Sequence, residues 1–221
     1  MKENKTRVEA LTLSACMIAF SVAISAICAA LPFLNLPFGG GFTIASMLPI
    51  IVIAYMYGTK WGLFTAFVYS IMQMLLGFNT VSSFFLPGDS QMLWWRAIIV
   101  CLIDYVIAYT VLGLGGIFRN KFSTKKALVL GSVFAISLRY VAHIVSGAIF
   151  FGAWAEWFFT QEGFYAWGQS ILDTFSGNSL ALVYSIIYNG TYMIPEIVIT
   201  AIVAFFIARI PQIKIVHPNK Y

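Results

Sequence analysis

Apolar residues fall along this chain in long runs, separated by short breaks that are polar or rich in glycine and proline. The runs cover about 9–31, 43–57, 61–78, 93–118, 127–151 and 181–208. Several approach about 20 residues, the length at which a helix crosses the hydrocarbon core of a bilayer. The pattern predicts an all-α membrane protein of six transmembrane helices, built as one integral membrane domain over residues 1–221. The breaks carry turn chemistry. Pro32, Pro37 and Gly39-Gly40-Gly41 mark the first loop, and Gly58-Thr59-Lys60 makes a tight turn between the second and third helices. Pro87-Gly88-Asp89 marks the third loop, and Ser176-Gly177-Asn178 precedes the last helix.

Basic residues alternate with these runs. Lys2, Lys5 and Arg7 precede the first helix, and Lys60 lies in the 2–3 turn. Arg119, Lys121, Lys125 and Lys126 fill the 4–5 loop, and Arg209, Lys214 and Lys220 follow the last helix. The 1–2, 3–4 and 5–6 loops carry none, with Arg96 just inside the fourth helix. Positively charged loops stay on the cytoplasmic side, so both termini are expected there, in a multi-pass protein of the bacterial plasma membrane. The long 5–6 segment holds Trp154, Trp157, Phe158, Phe159, Phe164, Tyr165 and Trp167 beside Glu156, Glu162 and Asp173. It is expected to lie on the outer membrane surface, where aromatic residues gather, and it could also cover an outward-facing site.

Composition agrees with this picture. The mean hydropathy is +0.89, and 61% of the 221 residues are hydrophobic while 10% are charged. Such a chain cannot cover a soluble surface. The net charge of +5 is spread over loops rather than gathered on one face, which excludes a nucleic-acid partner. Cys16, Cys28 and Cys101 all fall in apolar runs without metal-ligand spacing and are expected to be packing residues. Leu13-Ser14-Ala15-Cys16 matches a lipoprotein cleavage box by letters, but no separate apolar stretch precedes it, so the first helix is expected to be retained. Phosphate-loop, HExxH and nucleophile-elbow motifs are absent. The chain is therefore not expected to be an enzyme or to hold a metal or cofactor. Any ATP-driven step would belong to another chain.

Ionisable groups in hydrocarbon are costly and point to function. Away from the helix ends, four fall in the predicted helices: Asp104, Arg139, His143 and Glu196. At about 1.5 Å per residue, Asp104 and His143 lie roughly 16 and 12 Å from the outer face, and Tyr184 and Asn189 roughly 5 and 12 Å. Polar groups on three helices thus reach similar depth in the outer half. Arg139, His143, Gly147 and Phe151 recur every four residues on one face, where Gly147 would leave a hollow for a flat ring. His143 could serve a ligand or an interhelical hydrogen bond. Arg139 is expected to pair with Asp104 or Glu196, offsetting the cost of burial. Ala15, Ala19 and Ala23, followed by Ala26 and Ala30, form a small-residue face on the first helix, suited to packing inside the chain or to a partner helix.

Several segments resemble the thiamine-specific S components of energy-coupling-factor (ECF) transporters, the ThiT/YuaJ group. They are Gly39-Gly40-Gly41 through Met47-Leu48-Pro49, and Tyr57-Gly58-Thr59-Lys60-Trp61-Gly62-Leu63. Asp104-Tyr105 follows, with Gly113-Leu114-Gly115-Gly116-Ile117-Phe118-Arg119. Arg139-Tyr140-Val141-Ala142-His143 through Ser146-Gly147 and Phe150-Phe151 come next, and Tyr184-Ser185-Ile186-Ile187-Tyr188-Asn189-Gly190 completes the set. The resemblance runs from about 10 to 205 and implies the six-helix S-component fold, which captures thiamine in its outer half. It implies docking, partly through Ala15, Ala19 and Ala23, on a transmembrane T subunit that carries two ATPase subunits. The ligand residues it implies are Asp104, Tyr105, His143, Phe151, Tyr184 and Asn189, with Trp94 near an aromatic contact of the family; Gly147 joins the expected ligand-binding set through the hollow between His143 and Phe151.

Thiamine joins a permanently cationic thiazolium to a neutral aminopyrimidine. A carboxylate and aromatic faces suit the first, and stacking plus amide or hydroxyl groups suit the second. The chain departs from the family's pattern in having Asp104 for a glutamate and Phe151 for a stacking tryptophan, with Trp154 nearby. It also has the glycine run in place of a first-loop tryptophan, and a longer 5–6 segment. Other readings are an S component for the hydroxymethylpyrimidine precursor, a stand-alone secondary transporter, or an intramembrane acid–base enzyme. The transporter would show internal repeats, and none is visible.

Overall fold

The computed structural model describes residues 2–35 and 40–216. Pro37, Phe38 and Gly39 of the first loop, Lys220, and the side chains of residues 2–6, including Lys2 and Lys5, lie outside the described residues. Among the described residues there is no strand, only an isolated bridge between Asn35 and Gly41.

Six principal helices follow the hydrophobic runs: α1 (Lys2–Ala29), α2 (Leu48–Tyr57), α3 (Thr59–Leu76), α4 (Trp94–Phe118), α5 (Thr124–Phe150) and α6 (Gly177–Ile207). Within α1 the stretch Arg7–Ala29 is long and apolar enough to cross a membrane, as are α4, α5 and α6. The other two differ. α3 has 18 residues and carries Lys60 and Gln73. α2 has 10 residues, about 15 Å of helix, and is buried from Leu48 to Met56. Large apolar side chains such as Phe20, Ile27, Phe64, Val145, Leu182 and Ile202 are exposed on the outside of the bundle, as suits contact with lipid.

Helix ends depart from the hydrophobic runs for local reasons. The run at 43–57 yields a helix only from Leu48, because Pro49 suits the first turn of a helix and no earlier interior position. Residues 40–47 instead form a loop anchored on α6. The Thr43 backbone N–H donates to Glu196 Oε2 at 2.5 Å, and its hydroxyl donates to Oε1 and Oε2, each at 2.9 Å. Gly58, at φ +95°, lets α3 begin directly after α2. α6 starts a turn earlier than its apolar run, where Ser176 and Ser179 form a reciprocal capping box. The 5–6 segment folds as three short helices, Gly152–Trp154, Ala155–Phe159 and Tyr165–Thr174, pinned to α6 by buried Phe158 and Phe159.

The end of the bundle that holds the α2–α3 turn is welded through glycine. A Cβ added at Gly62 would collide with Ala54, one at Gly113 with Leu63, one at Gly116 with the Ala54 carbonyl, and one at Gly131 with the Gly115 carbonyl. Four helices therefore meet backbone to backbone. Arg119 completes this base. It was expected as a loop cation, yet it is buried, and its Nη2 donates to Met56 O at 3.0 Å and to Val216 O at 2.8 Å. The Val216 N–H also donates to Met56 O at 2.8 Å, so the C-terminal segment straps the end of α2.

Candidate functional site

α4 changes its winding along its length. It is α-helical over Trp94–Cys101, a π-helix over Leu102–Ile107, and a 3-10 helix over Val111–Phe118. The π stretch carries Asp104 and Tyr105; such wide turns are frequent at functional sites.

Asp104 and His143 meet. His143 Nδ1 lies 2.9 Å from Asp104 Oδ1, and the Ser146 hydroxyl donates to Asp104 Oδ2 at 2.7 Å. His143 and Ser146 sit one turn apart on α5, so both reach the same carboxylate. The other ring nitrogen, His143 Nε2, is buried and has no hydrogen-bond partner. The ring packs against Tyr192 with centroids 6.1 Å apart. Asn189 stands behind it: its amide nitrogen donates to Ser185 O at 2.8 Å, to Ser185 Oγ at 3.1 Å and to His143 O at 3.3 Å. The Tyr192 hydroxyl donates to Asn189 Oδ1. Ser146, Ser185 and Tyr192 were not anticipated from sequence. Their signal was their spacing of three or four residues from His143 and Asn189.

The remaining expected residues surround this pair without all touching it. Gly147 does not leave a hollow. A Cβ there would collide with Ser185 Oγ, because α5 and α6 close tightly at this point. Gly147 thus allows the approach that brings Asn189 to His143. Tyr105 points to a cavity of about 240 Å³ shared with Ser25, Asn35, Thr43, Tyr109, Arg139 and Glu196. Phe151 ends α5 and lines a cavity of about 530 Å³ with Asp89, Arg96 and Trp154. Its ring lies 6.0 Å from Phe84. Tyr184 is buried under the 5–6 segment, edge-on to Phe158 at 5.3 Å and stacked on Tyr188 at 5.5 Å. Trp94 is 70% exposed at the start of α4 and is not brought into the group.

Arg139 departs from expectation. It pairs with neither Asp104 nor Glu196. Its Nη2 donates to the Tyr109 hydroxyl at 3.0 Å, its Nη1 lies 3.2 Å from Met47 Sδ, and the guanidinium sits 4.3 Å from the Tyr109 ring centroid. Glu196 is taken up by Thr43 and by Thr200, whose hydroxyl donates to Oε1 at 3.3 Å. The two charges line the same cavity and feel each other at a distance. The direct contacts of the cation are an aromatic face, a hydroxyl and a thioether, and those of the carboxylate are hydroxyls and a backbone N–H.

On α1, Ser14, Ser21, Ser25 and Cys28 face the bundle, whereas Ala15, Ala19 and Ala23 are exposed. The alanine face is not spent on packing within the chain.

The arrangement is a partly buried acid–imidazole pair with a buried open nitrogen, set in helices long enough to cross a membrane. In the solved structures the fold is matched by ThiT from Listeria monocytogenes, with a TM-score of 0.63 at 20% identity, over 94% of this chain and 98% of that one. In sequence the chain is similar to the thiamine transporter ThiT of Bacillus subtilis, 32% identical over 181 residues, which span 77% of this chain and 76% of that protein. Residues 14–215 match the family described as thiamine transporter protein (Thia_YuaJ). This chain, a multi-pass membrane protein and not an enzyme, belongs to the thiamine transporter protein family.

Proposed function

We propose that this chain is the substrate-binding S component of an ECF-type importer, which captures thiamine from outside the cell for ATP-driven uptake. It works with a transmembrane T subunit and two ATPase subunits, and it crosses the membrane six times with both termini in the cytoplasm. The observation that carries the reading is the Asp104–His143 pair, held inside the helical bundle with Nε2 of the imidazole unpartnered. A buried polar atom left open is costly and is accounted for when a ligand completes it. Family membership supports the choice of thiamine.

In this reading Asp104 supplies the negative charge that attracts the thiazolium, and His143 meets the ligand at Nε2. Tyr105 and Phe151 offer aromatic walls toward the two cavities. Asn189 and Gly147 fix the α5–α6 contact behind the imidazole, and Tyr184 joins the site to the 5–6 segment. Trp94 reaches the ligand only if the outer end of α4 closes on it. The exposed Ala15, Ala19 and Ala23 supply the face for the T subunit.

The purified chain alone should bind thiamine, measured by quenching of its tryptophans, without ATP and without hydrolysing ATP. Tight binding of a neutral hydroxymethylpyrimidine in preference to thiamine would reassign the ligand. ATP hydrolysis that follows this chain through purification and mutation would remove the reading.

A further inference from the structure

The hydrogen bonds around His143 decide more than its position. Asp104 has two acceptor oxygens, and both are engaged from α5: Oδ1 by His143 Nδ1 at 2.9 Å and Oδ2 by the Ser146 hydroxyl at 2.7 Å. A carboxylate only accepts, so the proton in the first contact sits on Nδ1. In a neutral imidazole Nε2 then carries a lone pair. No donor among the described residues lies within hydrogen-bond distance of Nε2, and Arg139, one turn away on α5, keeps an unpartnered Nε of its own. The Tyr192 O–H goes to Asn189 Oδ1, and the Asn189 amide goes to His143 O and Ser185. The chain thus holds a buried acceptor and supplies no donor for it.

We propose that Ser146 is a positioning residue that acts through Asp104 to hold His143 as the Nδ1–H tautomer, so that Nε2 selects ligands carrying an N–H or O–H donor at that point. Ser146 is fully buried, touches Asp104 and not the open nitrogen, and lies one turn from His143 on the same helix. Its hydroxyl fixes the plane of the carboxylate and leaves Oδ1 aimed at Nδ1. A wrong ligand is rejected here by asymmetry. A donor completes the site, whereas an acceptor sets one lone pair against another and leaves both buried and unpaired. The choice of thiamine rests on the functional reading above. In that molecule the exocyclic amine of the pyrimidine is a donor of the required kind, and a 4-oxo analogue turns the same position into an acceptor.

Two measurements test this, and the first needs no ligand. The chain has two histidines, His143 and His217, so ¹⁵N-histidine labelling of the full chain in lipid nanodiscs, with His217→Gln for assignment, reads the tautomer directly. The expected spectrum shows a protonated Nδ1 and a bare Nε2 for His143, and thiamine moves the Nε2 signal. A proton on Nε2, alone or on both nitrogens, overturns the proposal. The second compares affinities for thiamine and its 4-oxo analogue. Wild type should favour the amine by roughly 100-fold, Ser146→Ala should cut that ratio about 10-fold, and Ser146→Thr should restore it. Equal losses for both ligands in Ser146→Ala would show a merely structural serine and sink the selectivity claim. A chain that shows the expected tautomer yet binds no thiamine would overturn the functional reading and leave the tautomer assignment standing.

Discussion

The middle and the final stretch of α4 make opposite use of one helix. At Gly113–Gly116 it tightens to a 3-10 form and presses its backbone against α2, α3 and α5. At Leu102–Ile107 it loosens to a π-helix and turns Asp104 and Tyr105 into the space among α3, α5 and the first loop. The first region lacks side chains where the helices cross, so there is little to rearrange and any added carbon must displace backbone. The second is lined by polar groups, opens through Tyr105 on a cavity and is left with an open nitrogen. The comparison teaches where each kind of residue is needed: glycine where nothing should move, and an acid with an imidazole where something should be received.

The largest effect should come from breaking the tight region. Gly116→Val places a branched side chain against the Ala54 carbonyl and should cost more than about 4 kcal/mol, abolishing monodisperse protein in detergent. Gly163→Ala, with no atom within 4 Å of the added carbon, should stay within about 0.5 kcal/mol by thermal unfolding. If both variants behave alike, the weld is not what holds the base.

A smaller effect should sharpen the open region. Asp104→Asn should weaken thiamine by about 1–3 kcal/mol, roughly 5- to 150-fold, and weaken a neutral pyrimidine fragment less. The substitution keeps the size of the side chain and removes its charge. Titration of both ligands by tryptophan quenching decides it, and equal losses would mean that Asp104 serves only to hold His143.

Next comes the clasp between the first loop and α6. Thr43→Val removes the hydroxyl that donates to Glu196 while keeping the backbone bond, and should lower stability by about 1–2 kcal/mol. The drop should appear in the thermal midpoint of the ligand-free chain. An unchanged midpoint would mean that the backbone N–H alone suffices.

The smallest effect on the site should follow Ala19→Trp on the exposed face of α1. Thiamine affinity should stay within about 2-fold, while uptake by cells is lost because the T subunit can no longer seat. Loss of both together would return the alanine face to packing within the chain.

The helices were legible because lipid-facing and buried positions are both apolar, which leaves long runs whose ends only turn chemistry can mark. The Asp104–His143 meeting was legible as matching depth on two helices. What escaped depends on partners that carry no sequence identity. Arg119 satisfies backbone carbonyls of Met56 and Val216, so its residue type could only be counted as a loop charge. Gly147 looked like a hollow because its neighbour on α6, Ser185, lies far away in the chain. Arg139 seemed to require a carboxylate, yet the face of Tyr109 and a thioether meet it. The π turn has no residue signature at all, since any side chain can occupy a wide turn that tertiary contacts hold open.

The short, fully enclosed α2 has a consequence for biogenesis. As a helix alone, a segment of about 15 Å does not span a hydrocarbon core of about 30 Å, so α2 can complete a crossing only inside the folded bundle and cannot settle in the bilayer as an independent unit when it leaves the ribosome. The turn at Gly58 keeps it paired with α3, and the surfaces that finally enclose it, Gly115 and Gly116 of α4 with Leu128 and Ile136 of α5, are synthesised later. Insertion of this protein is therefore not a simple series of helices threaded one by one. A nascent chain arrested before Phe118 should leave α2 open to water-soluble labels, and one extended beyond Phe150 should close it off.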